Sequence, residues 1–347
     1  MRYHSAHSKM PHASSSDIAI LMSRKLIGQP AAIDAIIPYV QMYRSQLAPE
    51  GRPAGVFLLL GPTGTGKTRT VEALAEVLHN NPKKLLRVDC GEFQMEHEVA
   101  KLVGAPPGYL GHRETQPMLT QPKLTAVSGE SCDLSLVLFD EIEKAAPSMT
   151  RLLLGILDKG VLRLGDGALV NFEKTIIFLT SNLGAREMSR CLRPDFGFES
   201  IVPRGSGRRP KLEVAAMNAV RKNFSPEFIN RIDAVVTYQP LGAEAMTAIL
   251  DQQIRELQEH IDRRLGSQSF QVEVPARTRR FLLEKGTSQE FGARELKRTL
   301  QRHLVQPLAS MIAKGEISPG GHIRVELSAR RDRLVMRGVE GTLAPAC

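Results

Sequence analysis

The chain has 347 residues, 42% of them hydrophobic, a length that suggests about two domains with real cores. No run of eighteen apolar residues exists and the polar start has no apolar signal region, so neither a membrane span nor a secretory leader is expected. Cys90, Cys132, Cys191 and Cys347 are scattered without a C-x-x-C, which excludes a disulfide framework or a cysteine metal site and fits reduced thiols in the cytoplasm. The net charge of +9 is spread along the chain, so a solvated basic surface is favoured over a nucleic-acid footprint.

Residues 1–16 are polar and read as a disordered extension; His4, His7 and His12 lack a carboxylate or thiol partner and are not expected to hold a metal. Ile18 to Leu26 reads as a short helix, Ile27-Gly28-Gln29-Pro30 breaks it, and Ala31 to Tyr43 is helical again apart from Pro38. Val56 to Leu60 is an apolar run suited to a buried strand. It feeds Gly61-Pro-Thr-Gly-Thr-Gly-Lys-Thr68, and Val71, Leu74, Ala75 and Leu78 then share one helical face. Strand, glycine loop and helix in that order make a phosphate-binding loop. Gly61, Gly64 and Gly66 let backbone N–H groups converge over a helix N-terminus, so that the stretch with Pro62, Thr63 and Thr65 is expected to bind the nucleotide. Lys67 reaches the β- and γ-phosphates of ATP, and the Thr68 hydroxyl is a ligand for Mg²⁺. A glycine turn that binds nothing is the plainer alternative.

Leu85 to Asp89 is a second strand, and Val99 to Val103 closes a helix. Gly104-Ala-Pro-Pro-Gly-Tyr-Leu-Gly111 is a loop whose aromatic, Tyr109, is either tucked into the core or offered to a partner. Thr115 to Asp133 reads as polar, turn-rich surface. Leu134 to Phe139 is another buried strand and delivers Asp140 and Glu141 at its C-terminal end, where α/β sheets bind ligands. Asp140 would hold Mg²⁺ and Glu141 would deprotonate water; a helix cap is the alternative reading of the pair. Met149 to Leu157 is helical, and Gly165-Asp166-Gly167 marks a hairpin. Lys174 to Thr180 is a buried strand ending at Asn182, which either positions water against the γ-phosphate or forms an Asx-turn. Residues 190–211 are rich in Gly, Pro and Arg; 204–211 read as a mobile basic loop. Val214 to Asn223 is helical, and Arg231 precedes the strand Ala234 to Tyr238, at the sheet edge opposite the phosphate loop.

The composition changes after Pro240. Met246, Ile249, Leu250, Ile254, Leu257 and Ile261 line one face of a long helix from Ala243 to Leu265. Alternation at Phe270, Val272 and Val274 and at Ile323, Val325 and Leu327 predicts two strands, with helices at Arg277 to Lys285 and Glu295 to Lys314 between them. The expected fold is α/β: a large domain over 17–239 with a parallel sheet flanked by helices, a smaller, mostly helical α+β domain over 240–330, and a tail over 331–347.

Six motifs taken together resemble the AAA+ ATPases of the Clp class, specifically the second ATPase module of ClpB- and ClpC-type unfoldases. They are the phosphate loop 61–68, the Gly104–Gly111 loop, Leu138-Phe-Asp-Glu-Ile-Glu-Lys144, Thr180-Ser-Asn-Leu-Gly184, Pro226-Glu-Phe-Ile-Asn-Arg-Ile-Asp233 and Phe291-Gly-Ala-Arg294. The resemblance runs from about Lys25 to Leu327. It implies that Lys67 and Thr68 serve Walker A, Asp140 and Glu141 Walker B, Asn182 sensor 1 and Arg294 sensor 2. It implies that Arg231 is an arginine finger for the adjacent subunit, that Tyr109 with Leu110 grips substrate in a pore, and that Ile27 and Gly28 lie near adenine. It further implies a self-assembled hexameric ring that hydrolyses ATP with Mg²⁺ and pulls polypeptide through its centre.

Several features depart from that pattern. No N-terminal domain, first ATPase module or coiled-coil insert is expected in the chain as it stands, which reads as a stand-alone module. His112-Arg113 adds charge after the pore loop, and Leu119 to Asp133 is longer than usual. Phe196-Gly197-Phe198 lies where peptidase-docking members carry a similar tripeptide, so a peptidase or adaptor is a possible partner. The alternatives are a nucleotide-switched assembly factor that does not thread, and a DNA-acting motor.

Overall fold

A computed structural model describes residues 15–104, 116–129, 132–185, 187–188, 208–287, 292–328 and 333–339. The chain divides into two compact units. The first comprises residues 1–61 and 66–238, the second residues 62–65 and 239–347.

The first unit opens with α1 (Ser15–Lys25) and α2 (Pro30–Arg44), which continues through Pro38. β1 (Gly55–Leu60) leads through the phosphate loop into α3 (Lys67–His79). Then come β2 (Leu86–Asp89), α4 (Ala100–Val103), α5 (Gln121–Val127), β3 (Ser135–Asp140) and α6 (Pro147–Lys159). The hairpin β4 (Val161–Arg163) and β5 (Leu169–Asn171) turns at Gly165–Gly167 as expected, with Gly167 at φ +88°. β6 (Thr175–Ser181), α7 (Arg208–Asn223), α8 (Pro226–Ile229) and β7 (Ala234–Thr237) complete the unit.

Five strands form one parallel sheet in the order β2-β3-β6-β1-β7. Every residue of β1, β3 and β6 is buried. Their side chains alternate between two cores, as the pleat requires. Val56, Leu58, Val137, Phe139, Ile177 and Leu179 pack with α6 and α7 on one face. Phe57, Leu59, Leu136, Leu138, Ile176 and Phe178 pack with α1, α2 and α3 on the other. Burial on both faces is why these strands read as unbroken apolar runs rather than alternating ones.

Two local expectations fail in this unit. The stretch 115–133, expected as polar surface, contains α5, and Leu119 and Leu124 are buried in the first core. The basic loop expected over 204–211 is already helical from Arg208. Pro210 sits in the first turn of α7, where a missing N–H removes no helical bond.

The second unit has α9 (Ala243–Leu265), β8 (Gln271–Glu273), α10 (Ala276–Gly286), α11 (Ala293–Leu300), α12 (Gln306–Ala313) and β9 (His322–Leu327). Met246, Leu250, Ile254 and Ile261 of α9 are buried against Leu282, Leu296, Leu300, Ile323 and Val325. A π-helical segment, Gln301–Val305, separates α11 from α12 where one helix was expected. Pro307 in the first turn of α12 has no N–H to give back to that segment. A further strand, β10 (Leu334–Val339), lies in the stretch expected as tail and pairs antiparallel with β9, which pairs parallel with β8. Among the described residues no helix is long and apolar enough to cross a membrane.

Candidate nucleotide site

β3, β6 and β1 are adjacent in the sheet, and their C-terminal ends carry Asp140-Glu141, Asn182 and the phosphate loop. Parallel strands that end side by side open a crevice at that edge, and the helix that follows aims its first N–H groups into it. Gly61, Gly64 and Gly66 all have positive φ, at +147°, +77° and +105°. Gly61 has a second reason to lack a side chain: a Cβ there would lie 2.6 Å from the Tyr238 carbonyl oxygen. Thr65 ties the loop to itself through its hydroxyl and the Pro62 carbonyl, 2.8 Å apart. Lys67 is only 8% exposed; its Nζ donates to Gly61 O at 2.5 Å and to Asn182 Oδ1 at 2.9 Å. Thr68 is half-buried in the first turn of α3.

Asp140 accepts from Thr180 Oγ1 on one carboxylate oxygen and from Arg87 on the other, the latter at 2.5 Å. Glu141 adopts the left-handed conformation, φ +58° and ψ 49°, an uncommon one for a residue with a Cβ. Its N–H donates to Thr180 Oγ1 at 3.0 Å and its carbonyl accepts from Lys144 N–H at 2.9 Å, two bonds that hold the turn. Glu141 makes no side-chain cap on the short helical turn Ile142–Lys144 that follows. Its carboxylate instead meets Lys144 Nζ at 2.5 Å and Asn182 Nδ2 at 3.4 Å. Asn182 forms no Asx-turn bond; its N–H donates to Glu143 Oε1 at 3.0 Å, and its amide spans Lys67 and Glu141. Burial raises the nearby Cys90 thiol pKa, with the surrounding carboxylates adding to the shift, so that cysteine stays protonated.

The structure thus brings together Gly61, Lys67, Asp140, Glu141 and Asn182. Ile27 and Gly28 follow Leu26, whose Cδ1 would lie 3.6 Å from a Cβ on Gly66. Arg231 lies apart, before β7 at the N-terminal edge of the sheet. Its Nη1 donates to the Glu227 carbonyl at 2.8 Å, Nη2 is 3.4 Å from the Glu227 carboxylate, and Nε is 3.4 Å from Asp158, close enough for an ion pair but without hydrogen-bond alignment. Arg294 is exposed at the start of α11. Within the second unit the neighbouring Ala293 N–H donates to Gly64 O at 3.1 Å. Tyr109, Leu110, His112-Arg113 and Phe196-Gly197-Phe198 lie outside the described residues.

The residues present fit a nucleotide and a hard cation. Gly61, Gly64 and Gly66 hold the positive φ values of a phosphate-binding loop, Lys67 is buried with its ammonium on Gly61 O and Asn182 Oδ1, and Thr68 and Asp140 offer oxygen donors. Sequence reasoning missed Thr180, Arg87 and Lys144. Thr180 and Arg87 reach Asp140 only because β6 and β2 flank β3 in a particular register, which no motif spells out.

A family model described as "AAA domain (Cdc48 subfamily)" matches residues 52–235, and one described as "C-terminal, D2-small domain, of ClpB protein" matches residues 241–325. The chain is 36% identical over 308 residues to the chaperone protein ClpB of Meiothermus ruber, covering 88% of this chain and 33% of that protein. It is 37% identical over 311 residues to ClpB of Pseudomonas putida, again covering 88% and 33%. Among solved structures, an S. cerevisiae Hsp104:casein complex in an extended conformation superposes with a TM-score of 0.79 at 29% identity, covering 95% of this chain and 53% of that one. A closed-state reconstruction of Hsp104 with ATPγS and FITC casein gives 0.76 at 30%, covering 93% and 51%. The chain spans about a third of the length of the curated relatives it matches. With its first unit matched over the AAA domain and its second over the D2-small domain of ClpB, the chain belongs to the AAA-domain family, in its ClpB-like branch.

Proposed function

We propose that the chain is a Mg²⁺-dependent ATPase module that assembles with copies of itself into a ring, a hexamer by family resemblance, and unfolds or remodels proteins by drawing polypeptide through the centre. The observation that carries this reading is the amide of Asn182, which joins the Lys67 ammonium to the Glu141 carboxylate across the ends of adjacent strands. A lysine for phosphate oxygens, a carboxylate for water and an amide between them is the set that phosphoryl transfer to water needs.

Lys67 and the first N–H groups of α3 bind and orient the phosphates. Thr68 and Asp140 would hold Mg²⁺, which supplies charge neutralisation on the phosphate oxygens when bound. Glu141 accepts the proton of the attacking water, and must leave Lys144 to do so. Asn182 orders that water. Ile27 and Gly28 border the base. Arg231, on the opposite edge of the sheet from its own phosphate loop, serves a neighbouring copy, where such a residue is worth roughly 10³- to 10⁵-fold in rate. Arg294 reads the γ-phosphate, and Tyr109 with Leu110 grips the substrate.

The names of the relatives support the protein-remodelling part: ClpB is described as a chaperone, and the Hsp104 structures contain casein. A cytoplasmic location and a peptidase or adaptor docked at Phe196-Gly197-Phe198 belong to the same reading. The test is ATP-dependent loss of fluorescence from a stably folded, tagged reporter. Wild type should unfold it, Glu141→Gln should not, and Tyr109→Ala should hydrolyse ATP without unfolding it. Unfolding that survives Tyr109→Ala would favour a switch that does not thread.

A further inference from the structure

Tyr238 follows β7 and is fully buried. Three separate contacts tie it to the phosphate loop. Its N–H donates to Leu60 O at 2.7 Å, at the loop's entrance. Gly61 leans on its backbone so closely that a Cβ would meet Tyr238 O at 2.6 Å and Tyr238 Cβ at 2.9 Å. Its hydroxyl lies 2.6 Å from Thr70 Oγ1, and that hydroxyl lies 3.0 Å from Gly66 O at the loop's exit.

The direction of this relay follows from proton counting. A threonine hydroxyl has one proton, and the Gly66 carbonyl can only accept. The Thr70 proton therefore goes to Gly66, and Tyr238 donates to Thr70. Burial raises the Tyr238 pKa, so the phenol keeps its proton. A phenylalanine ring would fill the same space without a polar group to satisfy, so the buried hydroxyl has a specific use.

Gly66 is the N-cap of α3, and its carbonyl also accepts the Thr70 N–H at 2.9 Å. In a planar trans peptide the carbonyl and the next N–H point in opposite directions. Holding the Gly66 carbonyl toward the helix therefore turns the Lys67 N–H toward the concave side of the loop. We infer that Tyr238 is a positioning residue for nucleotide: through Thr70 it fixes the Gly66–Lys67 peptide in its phosphate-binding orientation. The inference rests on the nucleotide reading above and adds residues that the motif does not contain.

The test is equilibrium binding of N-methylanthraniloyl-ADP with Mg²⁺, followed by fluorescence, in parallel with thermal melting without nucleotide. The variants are Tyr238→Phe, Thr70→Val, the two combined, and Thr70→Ser. Each of the first two should weaken binding roughly three- to tenfold, the net worth of one hydrogen bond. The combined variant should match either single rather than multiply them, because both break one relay. Thr70→Ser keeps the hydroxyl and should stay within about twofold of wild type. Tyr238→Phe removes a single oxygen, so it carries the test alone if Thr70→Val fails to fold. Variants that melt earlier yet bind as wild type, or single effects that multiply, overturn the inference. A folded wild type that binds no N-methylanthraniloyl-ADP overturns the nucleotide reading and this inference together.

Discussion

Thr180 carries one hydroxyl between two acids. It donates to Asp140 and accepts the Glu141 N–H, so a single β-strand residue sets both the carboxylate beside the loop and the left-handed turn after it. Thr180→Val keeps the shape and removes both bonds. Because a hydrogen bond to a charged group contributes about 1.5–3 kcal/mol, the ATP turnover rate should fall roughly ten- to a hundredfold. Nucleotide affinity, which the proposed function assigns to the glycine loop and Lys67, should change little, and Thr180→Ser should restore turnover; wild-type kcat in Thr180→Val would show that Thr180 has no part in turnover. His79 makes a prediction in pH. Burial, with help from Lys84, lowers its pKa below the ordinary 6.5. Above pH 6.5 the imidazole is neutral in both folded and unfolded chains and leaves stability untouched. Below 6.5 the unfolded chain takes the proton first, so stability falls with pH until the folded-state pKa is passed. Melting temperature should therefore drop from pH 7 to pH 5 in wild type and drop less in His79→Gln; parallel curves would contradict this.

At the scale of elements, what the sequence reveals depends on burial. β1, β3 and β6 are covered on both faces, so their apolar runs announce them and their polar ends announce the crevice. α5 has seven residues and buries only Leu124, so it offers too little periodicity to read. β10 was hidden for a related reason: Leu334 and Met336 alternate, but they follow a run of arginines that suggests a tail. The candidate site was legible by residue type wherever a motif names the residue, as at Lys67, Asp140, Glu141 and Asn182. Arg87 and Thr180 were not legible, because their place beside Asp140 is a property of strand register, and register is set by the whole sheet. α5 has a stability consequence. Leu124 is 1% exposed and packs into the same core as β3 and α6. Leu124→Ala should cost about 2–5 kcal/mol by denaturant unfolding. A loss under about 0.5 kcal/mol is what an exposed loop would give, and would argue that α5 is not docked.

At the scale of the whole molecule, each chain holds a complete loop, acid and amide, while Arg231 is held by Glu227 and Asp158 at the far edge of the sheet. A neighbouring copy that takes up Arg231 has to draw it from those carboxylates. Under the proposed function, hydrolysis is therefore a property of the assembly rather than of the single chain. Head-to-tail contact between identical copies closes into a ring when the rotation between them allows it. The most direct measurement is the steady-state rate of phosphate release per chain as a function of protein concentration, for wild type and Arg231→Ala, with saturating Mg·ATP. The rate per chain should climb with concentration as copies assemble. Arg231→Ala should stay near the dilute, unassembled rate at every concentration while still binding nucleotide. A rate per chain that is independent of concentration from the monomer upward, and unchanged by Arg231→Ala, would contradict a role for Arg231 in a neighbouring copy's site.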